Sequence, residues 1–151
     1  MMFESSVISS YKEFLKEQAE NSTIWFSIIE KNNGVFMGQC SIKVNQPKNR
    51  DGVFDISMLP RYWNKGYGTE ASRFMVDYAF KALGLNRVSL SVHEGNAGAM
   101  AMYKKIYGDR GFVEEGRKRR ANWVEGHWED TINMGVLSEE WAARYWNEDT
   151  S

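Results

Sequence analysis

The sequence predicts a mixed α/β domain whose first half is antiparallel. Three observations carry that expectation. Two β-rich runs flank Asn33-Gly34, a dipeptide that favours a tight hairpin. A strand-like run, Val53 to Leu59, enters the glycine-containing stretch Pro60 to Ala71, and a helix-like run, Ala71 to Leu83, leaves it. Further on, strand and helix patterns alternate until a second hairpin closes at Glu125-Gly126.

Taken in order, Val7 to Glu20 reads as a helix, because Val7, Tyr11, Phe14 and Leu15 recur at helical spacing among Lys and Glu. Thr23 to Glu30 is a strand rich in Ile, Trp and Phe, and Val35 to Val44 returns beside it. Asn45 to Gly52 is a polar loop before the third strand. The helix after the glycines carries Ala71, Phe74, Met75, Tyr78, Ala79 and Ala82 on one face and stops at Gly84. Arg87 to Val92 is a fourth strand. Asn96 caps a helix over Ala97 to Ile106. Phe112 to Trp123 and Trp128 to Gly135 form the second hairpin, and Ser138 opens a last helix that runs to about Tyr145.

The chain has 151 residues, a length suited to one domain with a real core, and no repeat or linker divides it. Its formal net charge of −1 creates no field that would recruit nucleic acid or an anionic membrane. No apolar run is long enough to span a bilayer, and the first residues do not read as a signal peptide. A single cysteine, Cys40, excludes an intramolecular disulfide and a multi-cysteine zinc site and points to a reducing compartment. His93 and His127 make no metal pattern, so no metal is expected.

The glycine junction is where chemistry is expected. Glycines between a strand and a helix leave bare amides at the helix N-terminus, and both those amides and the helix dipole favour a phosphate group. The sequence runs Trp63-x-x-Gly66-x-Gly68-Thr69-Glu70-Ala71, then Asn96-x-x-Ala99-x-x-x-Tyr103, then Gly111-Phe112-x-x-Glu115-Gly116. With these motifs, over about Trp25 to Trp141, the chain resembles the GCN5-related N-acetyltransferases. It is most similar to the branch holding ribosomal-protein N-terminal acetyltransferases and spermidine acetyltransferases.

The resemblance implies a mainly antiparallel sheet flanked by helices and a site for acetyl-coenzyme A as cosubstrate. It puts the pyrophosphate on amides of Lys65, Gly66, Tyr67, Gly68 and Thr69. It lays the pantetheine arm along Ser57, Met58 and Leu59, where the third and fourth strands part, with Asn96 holding one of its amides. Direct acetyl transfer to a primary amine needs a group to take a proton from the amine and another to protonate the departing thiolate. The family's acid falls on Tyr103, two helical turns after Asn96. A phenol of pKa ~10 remains protonated at pH 7. Asp55 is the leading candidate base, working through a water; His93 and Glu94 are alternatives, and Glu70 supports the helix N-terminus.

The expected acceptor is a protein N-terminus or a small amine such as a polyamine. The competing reading is a module that binds coenzyme A without turnover. No nucleic-acid or membrane partner is expected: the basic run Arg117-Lys118-Arg119-Arg120 reads as a solvated edge strand, although a nuclear import patch is an alternative to a purely cytoplasmic location. Cys40 reads as buried packing. Trp123 and Trp128 either pack on each other or wall the acceptor site.

Two departures from the family pattern stand out. Relatives place a strand and a further helix before the equivalent of Thr23, whereas only about one helix precedes it here. The expectation is therefore a single acetyltransferase domain over 1–151, shortened at its N-terminus, with a bare strand edge that a homodimer could cover. The second departure is Tyr107-Gly108-Asp109-Arg110, four extra residues before Gly111-Phe112. They are either a tolerated surface insertion or a change to the acceptor mouth.

Overall fold

The computed structural model describes residues 12–17 and 19–149. Helical residues 12–17 and 19–21 form α1, so the part of the predicted first helix that holds Val7 and Tyr11 lies outside the described residues. The chain continues as β1 (Ile24–Ile29), β2 (Phe36–Val44), β3 (Asp51–Met58), α2 (Tyr67–Lys81), β4 (Arg87–His93), α3 (Ala97–Lys104), β5 (Val113–Val124), β6 (His127–Leu137) and α4 (Ser138–Asp149). One six-stranded sheet runs in the order β1-β2-β3-β4-β6-β5. Every neighbouring pair is antiparallel except β3 and β4. The mixed, mainly antiparallel sheet flanked by helices is the fold the sequence predicts.

Register follows the alternation of side chains. Ile24 faces Ile42, Phe26 faces Cys40, Ile42 faces Phe54, Val88 faces Val136 and Leu90 faces Met134. These residues share one face of the sheet, because a period of two sends every second side chain to the same side. Helix α2 covers that face with Met75, Val76 and Ala79, all fully buried, and α3 adds Tyr103. Each fully buried Ile, Val or Met contributes roughly 1.5–3 kcal/mol of transfer free energy. On the opposite face Gln39 and Ser41 are also buried, with Trp25 donating its indole hydrogen to Gln39.

Three details differ from the sequence reading. Helix α2 begins at Tyr67, four residues earlier than predicted, because Gly66 takes φ 86° and reverses the chain directly into the first turn. The glycine segment is therefore half loop and half helix. Its inward face is also rotated: Ser72, Met75, Val76, Ala79 and Phe80 are buried, whereas Phe74 and Ala82 are exposed. Phe74 and Tyr78 instead meet Phe26 edge-on, with ring centroids 6.0 and 5.7 Å away. A second apolar stripe beside the core misled the periodicity. At the other end, α4 runs past Tyr145 to Asp149.

Strands β3 and β4 pair over only three positions, Asp51 with Arg87, Gly52 with Val88 and Val53 with Ser89. Beyond Val53, β4 stays with β6 through His93, while β3 stays with β2 through Met58. The two central strands thus part, and among the described residues β3 from Phe54 to Met58 has no strand on its β4 side. Among the described residues no helix is long and apolar enough to cross a membrane.

Candidate active site

The parting of β3 and β4 opens a cleft of ≈ 550 Å³ on the α2 and α3 side. Ser57 and Met58 form its β3 wall, Gly66, Gly68 and Thr69 its floor at the start of α2, and Asn96 and Tyr103 its α3 wall. Seven of the residues singled out by sequence thus meet in one place. Leu59 has left the strand, and its amide bonds back to Met37 O at 2.8 Å. Lys65 is exposed beside the cleft without lining it. Tyr67 turns to a second, mostly apolar cavity of ≈ 480 Å³ bounded by β1, Met37, Cys40 and α2.

The floor is built by backbone geometry. The first bond of α2 runs from Glu70 N to Gly66 O at 3.1 Å. The amides of Tyr67, Gly68 and Thr69 precede it and lack intrahelical acceptors. Exposed Glu70 stands in that first turn, where it suits the helix dipole. Gly66 needs its glycine for the positive φ, since a Cβ there would touch nothing, whereas a Cβ on Gly68 would meet Met102 Sδ at 3.2 Å. Absence of that side chain lets α2 and α3 approach and leaves the amides open to an anion.

Asn96 is the N-cap of α3, its Oδ1 accepting from Ala99 N at 3.3 Å. That bond leaves the amide nitrogen as the group it can offer a ligand. Tyr103 is only 8 % exposed and packs edge-on against Phe112 at 5.8 Å and Phe54 at 6.4 Å. Burial first, and then the negative charge of Asp55, push its phenol up to about 12. A phenol held there is a proton donor that stays loaded at neutral pH.

Asp55 alternates with Phe54 and Ile56 and so lies on the other face of β3, opposite Ser41. It keeps solvent-exposed surface, yet loss of water around its inner side raises its carboxyl above the ordinary range; the Ile56 amide, which favours the charged form, offsets only part of this. Tyr103 and Asp55 therefore belong to opposite faces of the sheet, and the charge of Asp55 still reaches the Tyr103 phenol. Of the alternative bases, Glu94 is committed elsewhere: it accepts from Asp130 N at 2.7 Å and from Arg117 at 3.2 Å. His93 ends β4 on an exposed position opposite Thr131.

The remaining features take structural roles. Cys40 is buried, and that burial pushes its thiol up to about 12, which leaves it inert as a nucleophile. The basic run lies on β5, the last strand of the sheet, with Arg117 paired to Asp130 at 3.0 Å and the rest of the run exposed. Trp123 and Trp128 face each other across the hairpin with ring centroids 5.0 Å apart. Sequence reasoning missed Tyr62, Gly98 and Met102 as cleft residues. Met102 sits three residues after Ala99, which also lines the cleft, so helical spacing within α3 carried the missing signal.

Comparison with known proteins fits this arrangement. Residues 4–107 match the family described as Acetyltransferase (GNAT) domain. YdaF of Bacillus subtilis (strain 168), whose name assigns it provisionally to the ribosomal N-acetyltransferases, is 31% identical over 109 residues, 72% of this chain and 57% of YdaF. The spermidine N(1)-acetyltransferase of Escherichia coli (strain K12) is 29% identical over 97 residues, 64% of this chain and 50% of that enzyme. The chain thus spans only about half the length of these curated relatives. Among solved structures, a mutant form of the spermidine N-acetyltransferase SpeG from Vibrio cholerae superposes with a TM-score of 0.76 at 22% identity, covering 91% of this chain and 79% of that one. At that identity the likeness is one of fold.

Proposed function

This chain belongs to the GNAT acetyltransferase family, and we propose that it moves an acetyl group from acetyl-coenzyme A to a primary amine by direct transfer. One observation carries the reading: Ser57, Met58, Gly66, Gly68, Thr69, Asn96 and Tyr103 line a single cleft at the parting of β3 and β4. In this reading the amides at the start of α2 hold the pyrophosphate. The free edge of β3 at Ser57 and Met58 receives the amide-bearing arm, and Asn96 binds one of its amides. Lys65 adds positive charge at the mouth, and Leu59 and Tyr67 shape the loop on either side of it.

The chemistry divides between the faces of the sheet. Acetyl-coenzyme A supplies the activated acyl group. As the amine nitrogen bonds to the carbonyl carbon, the carbon–sulfur bond breaks, the sulfur needs a proton, and the nitrogen must lose one. Tyr103, buried and protonated, gives the proton to the sulfur from the α3 side. Asp55, a carboxyl with raised proton affinity, receives the amine's proton through a water on the other side. The acceptor class is a small amine or polyamine, or the N-terminus of a protein. A homodimer would cover the edge of β1, which is the first strand of the sheet.

Calorimetry with acetyl-coenzyme A, run beside a free-thiol release assay over a panel of amines and N-terminal peptides, tests the proposal. Binding together with amine-dependent thiol release is expected. Binding without release for every amine would leave a ligand-holding module, and no binding at all would remove the cofactor assignment.

A further inference from the structure

The free edge of β3 is not empty of hydrogen bonds. Leu59 N donates across to Met37 O of β2 at 2.8 Å. The Met58–Leu59 peptide is trans, so Met58 C=O points the opposite way, off β2 and toward the parting of the strands. There it accepts a hydrogen bond from Trp63 Nε1 at 2.8 Å. Trp63 itself lines the same cleft, at the end of the short 3-10 turn Pro60–Tyr62. Its side chain is poorly buried, since the residue is 58 % exposed. A large aromatic with that much open surface is held mainly by its polar end.

We propose that Trp63 is a placeholder donor: its indole N–H occupies the Met58 carbonyl until an N–H of the ligand's extended amide arm takes that acceptor over. The inference rests on the cofactor reading given above. Beyond Val53 no strand among the described residues pairs with β3 on this side, so an extended ligand there must pair with the carbonyls that face the gap. A backbone carbonyl left bare in a closing cleft is costly. An exposed indole fills that acceptor in the free protein and can turn out into water, because little packing opposes the motion. Trp63 is therefore a positioning residue, one that sets how readily the arm docks, and not a group that touches the reacting atoms.

The test uses coenzyme A on the full chain. Trp63→Phe keeps a ring and removes only the donor. If the indole competes with the arm, this variant binds coenzyme A about two- to tenfold more tightly than wild type, the range one hydrogen bond spans. In wild type, the Trp63 indole resonance, assigned through its connectivity to the backbone in heteronuclear spectra, should leave its hydrogen-bonded shift when coenzyme A is added. Equal or weaker binding by Trp63→Phe, or an indole resonance that coenzyme A leaves unmoved, overturns the placeholder role. Failure of the wild-type protein to bind coenzyme A at all is a different result, and it removes the cofactor reading beneath the proposal. The wild-type resonance decides the matter even where the variant folds poorly.

Discussion

Tyr107 donates its phenolic hydrogen to Asp77 Oδ1 at 2.6 Å and so fastens the loop after α3 to the middle of α2. The same Asp77 oxygen accepts from Trp141 Nε1 of α4 at 2.8 Å. Arg73 and Arg144 lie 5.6 and 5.9 Å from the centre of the Tyr107 ring, and Arg73 also donates to Ile106 O at 2.8 Å. Tyr107, the first of the four inserted residues, thus packs onto α2 and α4 on the helical side of the sheet, whereas Gly108, Asp109 and Arg110 are exposed and Asp55 lies on the other face. Asp77→Ala should lower stability by about 1–3 kcal/mol, because it removes the acceptor that the Tyr107 and Trp141 hydrogen bonds share, and Tyr107→Phe by about 1 kcal/mol. Urea unfolding measures both. A loss below about 0.5 kcal/mol for Asp77→Ala, on the order of an ordinary surface change, would show that the anchor is not used.

Tyr103→Phe keeps the ring that packs against Phe54 and Phe112 and removes only the hydroxyl. Turnover should fall by roughly 10²–10⁴, the usual worth of a positioned acid. Affinity for acetyl-coenzyme A should change little. Pre-steady-state thiol release at saturating ligand checks this, and unaltered turnover would take Tyr103 out of the mechanism.

Asp55→Asn should abolish the acidic limb of the rate profile, because a raised carboxyl that serves as base gains activity as pH climbs through its own pKa. Stability carries an independent sign. Between the ordinary carboxylate value of ~3.9 and the raised value, the folded protein holds a proton that the unfolded chain has released. Wild-type stability therefore falls as pH rises through that window, and the variant lacks this slope. Melting temperatures from acid to neutral pH should show Asp55→Asn gaining on wild type as pH rises; parallel curves would refute the raised proton affinity of the carboxyl.

Gly66 and Gly111 separate two kinds of glycine. Gly66→Ala meets open space but must hold φ near 86°, so it should cost about 1 kcal/mol and weaken acetyl-coenzyme A binding by disturbing the first turn of α2. At Gly111 a Cβ would run into the backbone carbonyl of Tyr103, a contact that no rotamer relieves. Gly111→Ala should displace the end of α3 and with it Tyr103. Circular dichroism melts and ligand titrations distinguish the two, and a fully stable, fully active Gly111→Ala protein is the outcome that contradicts the structure.

Much of the site could be read from residue order. The strand-to-helix glycine junction, the cap at Asn96 and the two-turn step to Tyr103 depend on local rules: backbone angles near Gly66, a side-chain oxygen reaching Ala99 N, and helical spacing. Such rules act over a few residues, so they survive in the one-dimensional text. The hairpins at Asn33-Gly34 and Glu125-Gly126 were legible for the same reason.

The order of strands, the short β3–β4 pairing and the side on which each helix lies depend on contacts between residues far apart in the chain. Hydrophobic burial is indifferent to sequence distance, so it chooses among stripes that local periodicity leaves equal; that is why α2 buries Val76 and Phe80 and leaves Phe74 to Phe26. The same packing carries Asp55 and Tyr103 to opposite faces of one sheet, with the Tyr103 phenol within reach of the Asp55 charge, and turns the carbonyl of Met58 toward the indole of Trp63.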